Sequence, residues 1–84
     1  MHRVPLQALS RVAWRRVPWA RLWATARWLY TQARDRLERN LNAGERRDLR
    51  ELMAKSRGRR ANLSASEQAR LRRLVRKGVT GRSG

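Results

Sequence analysis

Apolar residues recur at helical spacing along the first half of this chain. Trp19, Leu22, Trp23, Ala26, Leu29, Tyr30, Ala33 and Leu37 follow the i, i+3, i+4, i+7 rule and fill one stripe at 100° per residue. Arg21, Thr25, Gln32, Arg36 and Arg39 lie opposite. Trp28 falls among those polar residues, whereas Trp19 and Trp23 belong to the stripe and read as core. Proline is well suited to a first helical position, so Pro18 marks a start and the pattern predicts a helix over 18–39. Upstream, Leu6, Leu9, Val12 and Ala13 share one side of a shorter helix predicted over 6–17.

Beyond Asn40 the pattern repeats with a period of 22 residues: 41–55 aligns with 63–77. Leu41/Leu63, Ala43/Ala65, Glu45/Glu67, Leu49/Leu71, Arg50/Arg72, Leu52/Leu74 and Lys55/Lys77 are identical pairs. Two copies are too few for a solenoid. Each copy reads as one helix with a clear start. Asn42 with Glu45, and Ser64 with Glu67, have the spacing at which each side chain satisfies the other residue's backbone N–H. The expected helices run over about 43–56 and 65–77. Gly58 and Gly78 stand where left-handed caps are expected. The apolar stripes, Leu49, Leu52, Met53 and Leu71, Leu74, Val75, are too short for either helix to bury itself alone. An antiparallel pair folded against the stripe of the preceding helix resolves this.

The expected fold is therefore all-α: amphipathic N-terminal helices followed by a small antiparallel hairpin. Its parts are a basic, Trp-rich segment over 1–40, the hairpin with its Arg-rich connector over 41–78, and a Gly- and Ser-rich tail over 79–84 that reads as disordered. A chain of 84 residues supports one small core at most, so a partner's contribution to stability matters.

Charge changes the picture most. Lys and Arg total 22 against 6 Asp and Glu, a formal net charge of +16, and only Lys55 and Lys77 are lysines. Self-repulsion of this size disfavours compaction, and a polyanion relieves it. Arginine's planar fork grips phosphate bidentately and stacks on flat π surfaces. Residues 1–33 hold six Arg and no acid, 34–56 hold seven basic and five acidic residues, and 57–84 hold nine basic residues against Glu67 alone. The ends read as the electrostatic surfaces and the middle as scaffold. There is no cysteine, and His2 is the only histidine, so neither a disulfide framework nor a structural zinc site is expected. Arginines interrupt every N-terminal apolar run, so neither a signal-peptide core nor a spanning helix is expected there. An arginine-rich, acid-free start resembles an organelle transit peptide, but the Arg-over-Lys bias fits a GC-rich bacterial genome better.

The connector over 55–62 carries the sharpest candidate chemistry. Lys55, Arg57, Arg59 and Arg60 surround Gly58, and at a turn between helices they project as one cluster, with glycine permitting close backbone approach. Three readings stand open: a phosphate-gripping loop, an AT-hook built on Arg57, Gly58 and Arg59, and a solvated turn. The AT-hook reading lacks flanking prolines, and the loop is too long for a helix-turn-helix. Arg72, Arg73, Arg76 and Lys77 extend the basic surface along the last helix, where an ordinary solvated face is the bland alternative. Trp28 is a candidate for stacking on a base or for an interface, unless residues 1–17 fold back over it. Residues 1–30 as a whole also suit an interfacial amphipathic helix on anionic lipid. No catalytic set is visible. Glu45, Asp48 and Glu51 read as helical ion pairs with the interleaved Arg46, Arg47 and Arg50, and no phosphate-binding glycine motif or nucleophile–base pair occurs. Neither an enzyme, a metal site nor a cofactor is expected.

The run Lys-Ser-Arg-Gly-Arg-Arg-Ala-Asn-Leu-Ser at 55–64 has Leu-Arg-Glu-Leu-Met before it and Leu-Arg-Arg-Leu-Val-Arg-Lys after it. Over 30–81 the chain thereby resembles a set of short, basic, uncharacterised helical proteins of high-GC bacteria. The resemblance implies that 41–77 form one unit and that the N-terminal third is attached to it; it transfers no activity. The expected function is non-enzymatic binding of DNA or RNA, ribosomal RNA included, through phosphates, in a cytoplasmic setting at the nucleoid, ribosome or inner-membrane surface. Two alternatives remain open: a peripheral membrane-surface protein, and an adaptor whose Trp and Leu stripe docks on an acidic protein partner.

Overall fold

The computed structural model describes residues 14–81, apart from the side chain of Arg15; the helix expected over 6–17 thus lies largely outside the described residues. Trp14–Arg16 form a 3-10 turn. Four α-helices follow: α1, Trp19–Thr31; α2, Arg34–Asn40; α3, Ala43–Ser56; and α4, Ala65–Thr80. A second 3-10 turn, Arg60–Asn62, lies between α3 and α4. The described residues are all-α, as the periodicity predicts.

Pro18 precedes α1 as its cap residue, with φ −63° and ψ 152°. The single helix expected over 18–39 is broken into α1 and α2. Gln32 N–H and Ala33 N–H both donate to the Trp28 carbonyl, at 2.8 and 3.1 Å, which ends the regular ladder. Thr31 Oγ1 donates to the Arg27 carbonyl at 2.9 Å in the last turn, an arrangement that loosens helices. The break has a tertiary cause as well. It turns α2 across the end of α4, where Arg36 Nη1 donates to the Val79 carbonyl at 3.0 Å and Asn40 Nδ2 to the Gly78 carbonyl at 2.8 Å. Those carbonyls have no backbone partner among the described residues, as is usual in a helix's last turn, so α2 supplies donors to α4's terminus.

Both capping boxes form. Asn42 and Glu45 exchange bonds of 2.8 and 3.0 Å. Ser64 and Glu67 exchange bonds of 3.2 and 2.9 Å. The repeat becomes a pseudo-two-fold pairing. Glu45 binds Lys77 at 2.7 Å and Glu67 binds Lys55 at 2.7 Å, so each copy's start is tied to the other copy's end. That crossing makes α3 and α4 antiparallel. The repeat-equivalent leucines Leu41/Leu63, Leu49/Leu71 and Leu52/Leu74 are all buried. They share one cluster with Trp14, Val17, Leu22, Ala26, Leu29, Leu37, Val75 and Val79. Burying each leucine stabilises by about 1.5–3 kcal/mol.

Two terminal expectations change. Helix α4 continues through Gly78 to Thr80, and Gly81, at φ 74°, is its left-handed cap. Gly78 is needed for packing: a Cβ there would meet Leu29 Cδ1 at 2.9 Å and Leu37 Cδ1 at 3.5 Å. Val79, assigned to a disordered tail, is buried in α4, while residues 82–84 lie outside the described residues.

Candidate nucleic-acid interface

The connector leaves α3 through a left-handed residue. Arg57 caps the helix at φ 51° and ψ 33°, and Gly58 follows at φ 81°. For arginine this conformation costs roughly 1–2 kcal/mol, a cost glycine avoids. Side chains hold the turn from several directions. Trp19 Nε1 donates to the Gly58 carbonyl at 3.0 Å, Asn62 Nδ2 to the Ser56 carbonyl at 2.8 Å, and Gln68 Nε2 to the Arg60 carbonyl at 3.1 Å. Ser56 is itself fully buried, its hydroxyl donating to the Met53 carbonyl at 3.0 Å. The Trp23 ring lies against Gly58, at 3.5 Å from where a Cβ would stand, and stacks on Trp19 with centroids 6.4 Å apart. Trp19 and Trp23, expected as core, are half-buried braces of the connector. Their helical spacing showed the stripe but not this target.

The nine basic and glycine positions read from the sequence separate into two groups. Arg57, Arg59, Arg60 and Arg73 are exposed, Arg76 is half-buried, and none of these five makes a side-chain hydrogen bond or ion pair among the described residues. The others are engaged. Lys55 and Lys77 hold Glu67 and Glu45. Arg72 Nη1 donates to the Trp14 carbonyl at 2.5 Å and to the Val17 carbonyl at 2.7 Å, clamping the N-terminal turn. Gly58 lies at the turn's centre beneath Trp23. Arg73 stands about 12 Å along α4 from its first residue at a rise of 1.5 Å per residue, whereas Arg60 lies in the 3-10 turn before that helix.

Electrostatics at the turn are one-sided. Glu67 is the acid nearest in sequence on the α4 side. Its hydrogen bond from Lys55, with the Ser64 N–H next, holds its pKa down to about 2. Its charge is thereby matched by Lys55 and not by the connector arginines. Glu45 is likewise lowered, first by Lys77 and then by the Asn42 N–H.

Trp28 is half-buried and packs against the core edge. With Trp14, Arg21, Ala24, Thr25 and Val79 it lines an apolar cleft of about 280 Å³. Trp14, missed as a core residue by the sequence reading, is buried in the cluster.

One expectation for the scaffold is overturned. Glu45 and Asp48 were expected to pair within α3 with Arg46, Arg47 and Arg50. They pair across to α4 instead, Glu45 with Lys77 and Asp48 with Arg70 at 3.5 Å. Glu51, Arg47 and Arg50 make no side-chain hydrogen bond or ion pair among the described residues, and Arg46 Nη1 donates to the Leu41 carbonyl at 2.6 Å.

No described helix is long and apolar enough to cross a membrane. Comparison with known proteins finds no matching family, no matching characterised protein and no matching solved structure.

Proposed function

We propose that this protein binds DNA or RNA without catalysing a reaction, gripping the phosphate backbone through the connector between α3 and α4. The observation that carries this reading is the state of Arg57, Arg59 and Arg60. They are exposed and unpaired among the described residues, on a turn whose backbone is braced by Trp19, Asn62 and Gln68. A braced turn presents its guanidinium groups without the cost of ordering the backbone, which favours binding. Arginine also occupies a left-handed cap position where glycine is cheaper. Backbone strain retained beside a cluster of unpaired charges is typical of functional turns. Arg73 and Arg76 extend the contact along α4. Such contacts position a nucleic acid and read little sequence, so weak specificity and steep salt dependence follow. The reading implies a cytoplasmic location beside the nucleoid or ribosome.

The membrane-surface and adaptor readings draw less support. The adaptor reading needs the apolar stripe of α1 outside the protein, and Leu22, Ala26 and Leu29 of that stripe are fully buried in the core. The membrane-surface reading rests on residues 1–30, of which 1–13 lie outside the described residues.

Tryptophan emission tests the choice, because Trp19 and Trp23 abut the connector. At about 0.2 M salt, titration with duplex DNA or structured RNA changes emission saturably and anionic vesicles leave it unchanged. A blue shift with vesicles and no response to nucleic acid would overturn the reading.

A further inference from the structure

A second basic site lies apart from the connector, in the part of the chain whose charges nearly balance. Helices α2 and α3 meet at Leu41 and Asn42 and enclose a cleft of about 210 Å³ lined by Tyr30, Arg34, Glu38, Arg46, Arg47 and Arg50, with Leu37 and Ala43 at its apolar side. At about 30 Å³ per water molecule, this is the space of roughly seven waters, enough for a phosphate and part of the group that bears it.

The walls are fixed. Tyr30 Oη donates to the Arg46 carbonyl at 2.8 Å, which ties α1 to α3. Arg46 Nη1 donates to the Leu41 carbonyl at 2.6 Å and reaches the Glu38 carbonyl at 3.3 Å, which ties α3 to the end of α2. Leu37 and Leu41 are buried beneath. The remaining arginines are not consumed by the fold. Arg47 and Arg50 have no side-chain partner among the described residues, and Arg34 meets Glu38 only at 3.9 Å with both side chains exposed. Four guanidinium groups therefore line one cleft against a single carboxylate. Burial raises the Tyr30 hydroxyl pKa, while the charges of Arg50, Arg34 and Arg46 pull it down, so three of these groups act on one point.

Like charges converging on a recess repel each other, and a multivalent anion offsets that repulsion. A dianion fits the imbalance better than a carboxylate, and forked guanidinium groups match its oxygens bidentately. A recess, unlike the projecting connector, suits a chain end or a small molecule better than a continuous backbone. From the cleft's charge, shape and unpaired arginines we infer that it is a binding site for a terminal phosphate, a phosphomonoester dianion. Arg47 and Arg50 are its principal ligands, Arg34 and Arg46 complete the field, and Glu38 limits the affinity.

Calorimetric titration of the full chain with inorganic phosphate at low salt tests this. Saturable binding at one site is expected. Arg47→Ala/Arg50→Ala weakens it by about tenfold or more, while Arg27→Ala/Arg39→Ala, two exposed arginines outside both the cleft and the connector, leaves it unchanged. That contrast separates the cleft from a general loss of positive charge. Both side chains are exposed, so the variant retains its helical circular dichroism; Arg47→Gln/Arg50→Gln serves as the second variant and loses binding equally. A nucleoside monophosphate and a pair of oligonucleotides, one 5′-phosphorylated and one 5′-hydroxyl, identify the source of the phosphate. Preference for the phosphorylated oligonucleotide over both of the others assigns a nucleic-acid end, and tighter binding of the nucleoside monophosphate assigns a free ester. Non-saturable phosphate binding, or equal weakening by Arg27→Ala/Arg39→Ala, would overturn the proposal.

Discussion

Arg50 and Arg72 occupy the same position in the two copies of the repeat, within the same Leu-Arg dipeptide, and they do different work. Arg72 clamps the Trp14 and Val17 carbonyls, while Arg50 stands unpaired at the rim of the α2–α3 cleft. Their surroundings otherwise match. Leu49 and Leu71 are both fully buried, and Glu45–Lys77 mirrors Glu67–Lys55. What differs is the chain that packs alongside. An N-terminal turn with spare carbonyls lies against α4, and the cleft opens beside α3. Arg72 and Arg50 thus differ because backbone carbonyls lie within reach of one and not of the other, not because of their place in the repeat.

The largest expected effects test the shared part of the comparison. Leu49→Ala and Leu71→Ala each cost about 2–5 kcal/mol, and nearly equal amounts, in urea unfolding monitored by circular dichroism. A wide gap between them would break the pseudo-two-fold equivalence. The differing part comes next. Arg72→Ala takes the side-chain donor from the Val17 carbonyl, while the Trp14 carbonyl keeps the Val17 N–H, and costs about 1–3 kcal/mol. Arg50→Ala stays within about 0.5 kcal/mol. Equal costs would show that Arg50 is structural too.

Acid titration tests the two crossed ion pairs. Glu45 and Glu67 are held below the ordinary value of 4.5, Glu67 down to about 2, each chiefly by its lysine's hydrogen bond. A carboxyl whose pKa is lower in the folded state contributes stability that is complete above its unfolded value and is lost as pH falls through the folded one. The melting temperature is therefore expected to be flat above pH 5 and to decline from about 4.5 towards 2. Glu45→Gln and Glu67→Gln should each shallow that decline to a similar degree. The one stabilising change is expected at the connector, where Arg57→Gly relieves the left-handed residue and stabilises by about 1 kcal/mol in thermal unfolding. The same substitution weakens nucleic-acid binding, so stability and binding move in opposite directions at this one position.

The helices of the hairpin were legible because their signals are local. Capping boxes at Asn42/Glu45 and Ser64/Glu67 and the leucine periodicity mark α3 to the residue. The position of the connector between α3 and α4 was legible because a run of arginines around a glycine follows a capped helix, whereas the unpaired state of Arg57, Arg59 and Arg60 needed the structure. The break at Gln32 and Ala33 was not, because it depends on carbonyls at the far end of α4 that Arg36 and Asn40 reach. Gly78 misled for a related reason: a glycine before a Gly-rich stretch reads as a cap, and only the approach of Leu29 shows that it makes room. The cleft stayed hidden because ion pairs at helical spacing within α3 and ion pairs across to α4 are indistinguishable until the partner helix is placed. Once Lys77 and Arg70 take the acids, Arg47 and Arg50 are left over.

The most direct test of the connector's role is the salt dependence of duplex binding for the wild-type chain and for Arg57→Ala/Arg59→Ala/Arg60→Ala. Each lost phosphate contact removes about 0.9 from the slope of log affinity against log salt. The variant should lose roughly 2–3 from that slope together with affinity, while keeping its helical signal. An unchanged slope at unchanged affinity would contradict the account and place the polyanion elsewhere on the molecule.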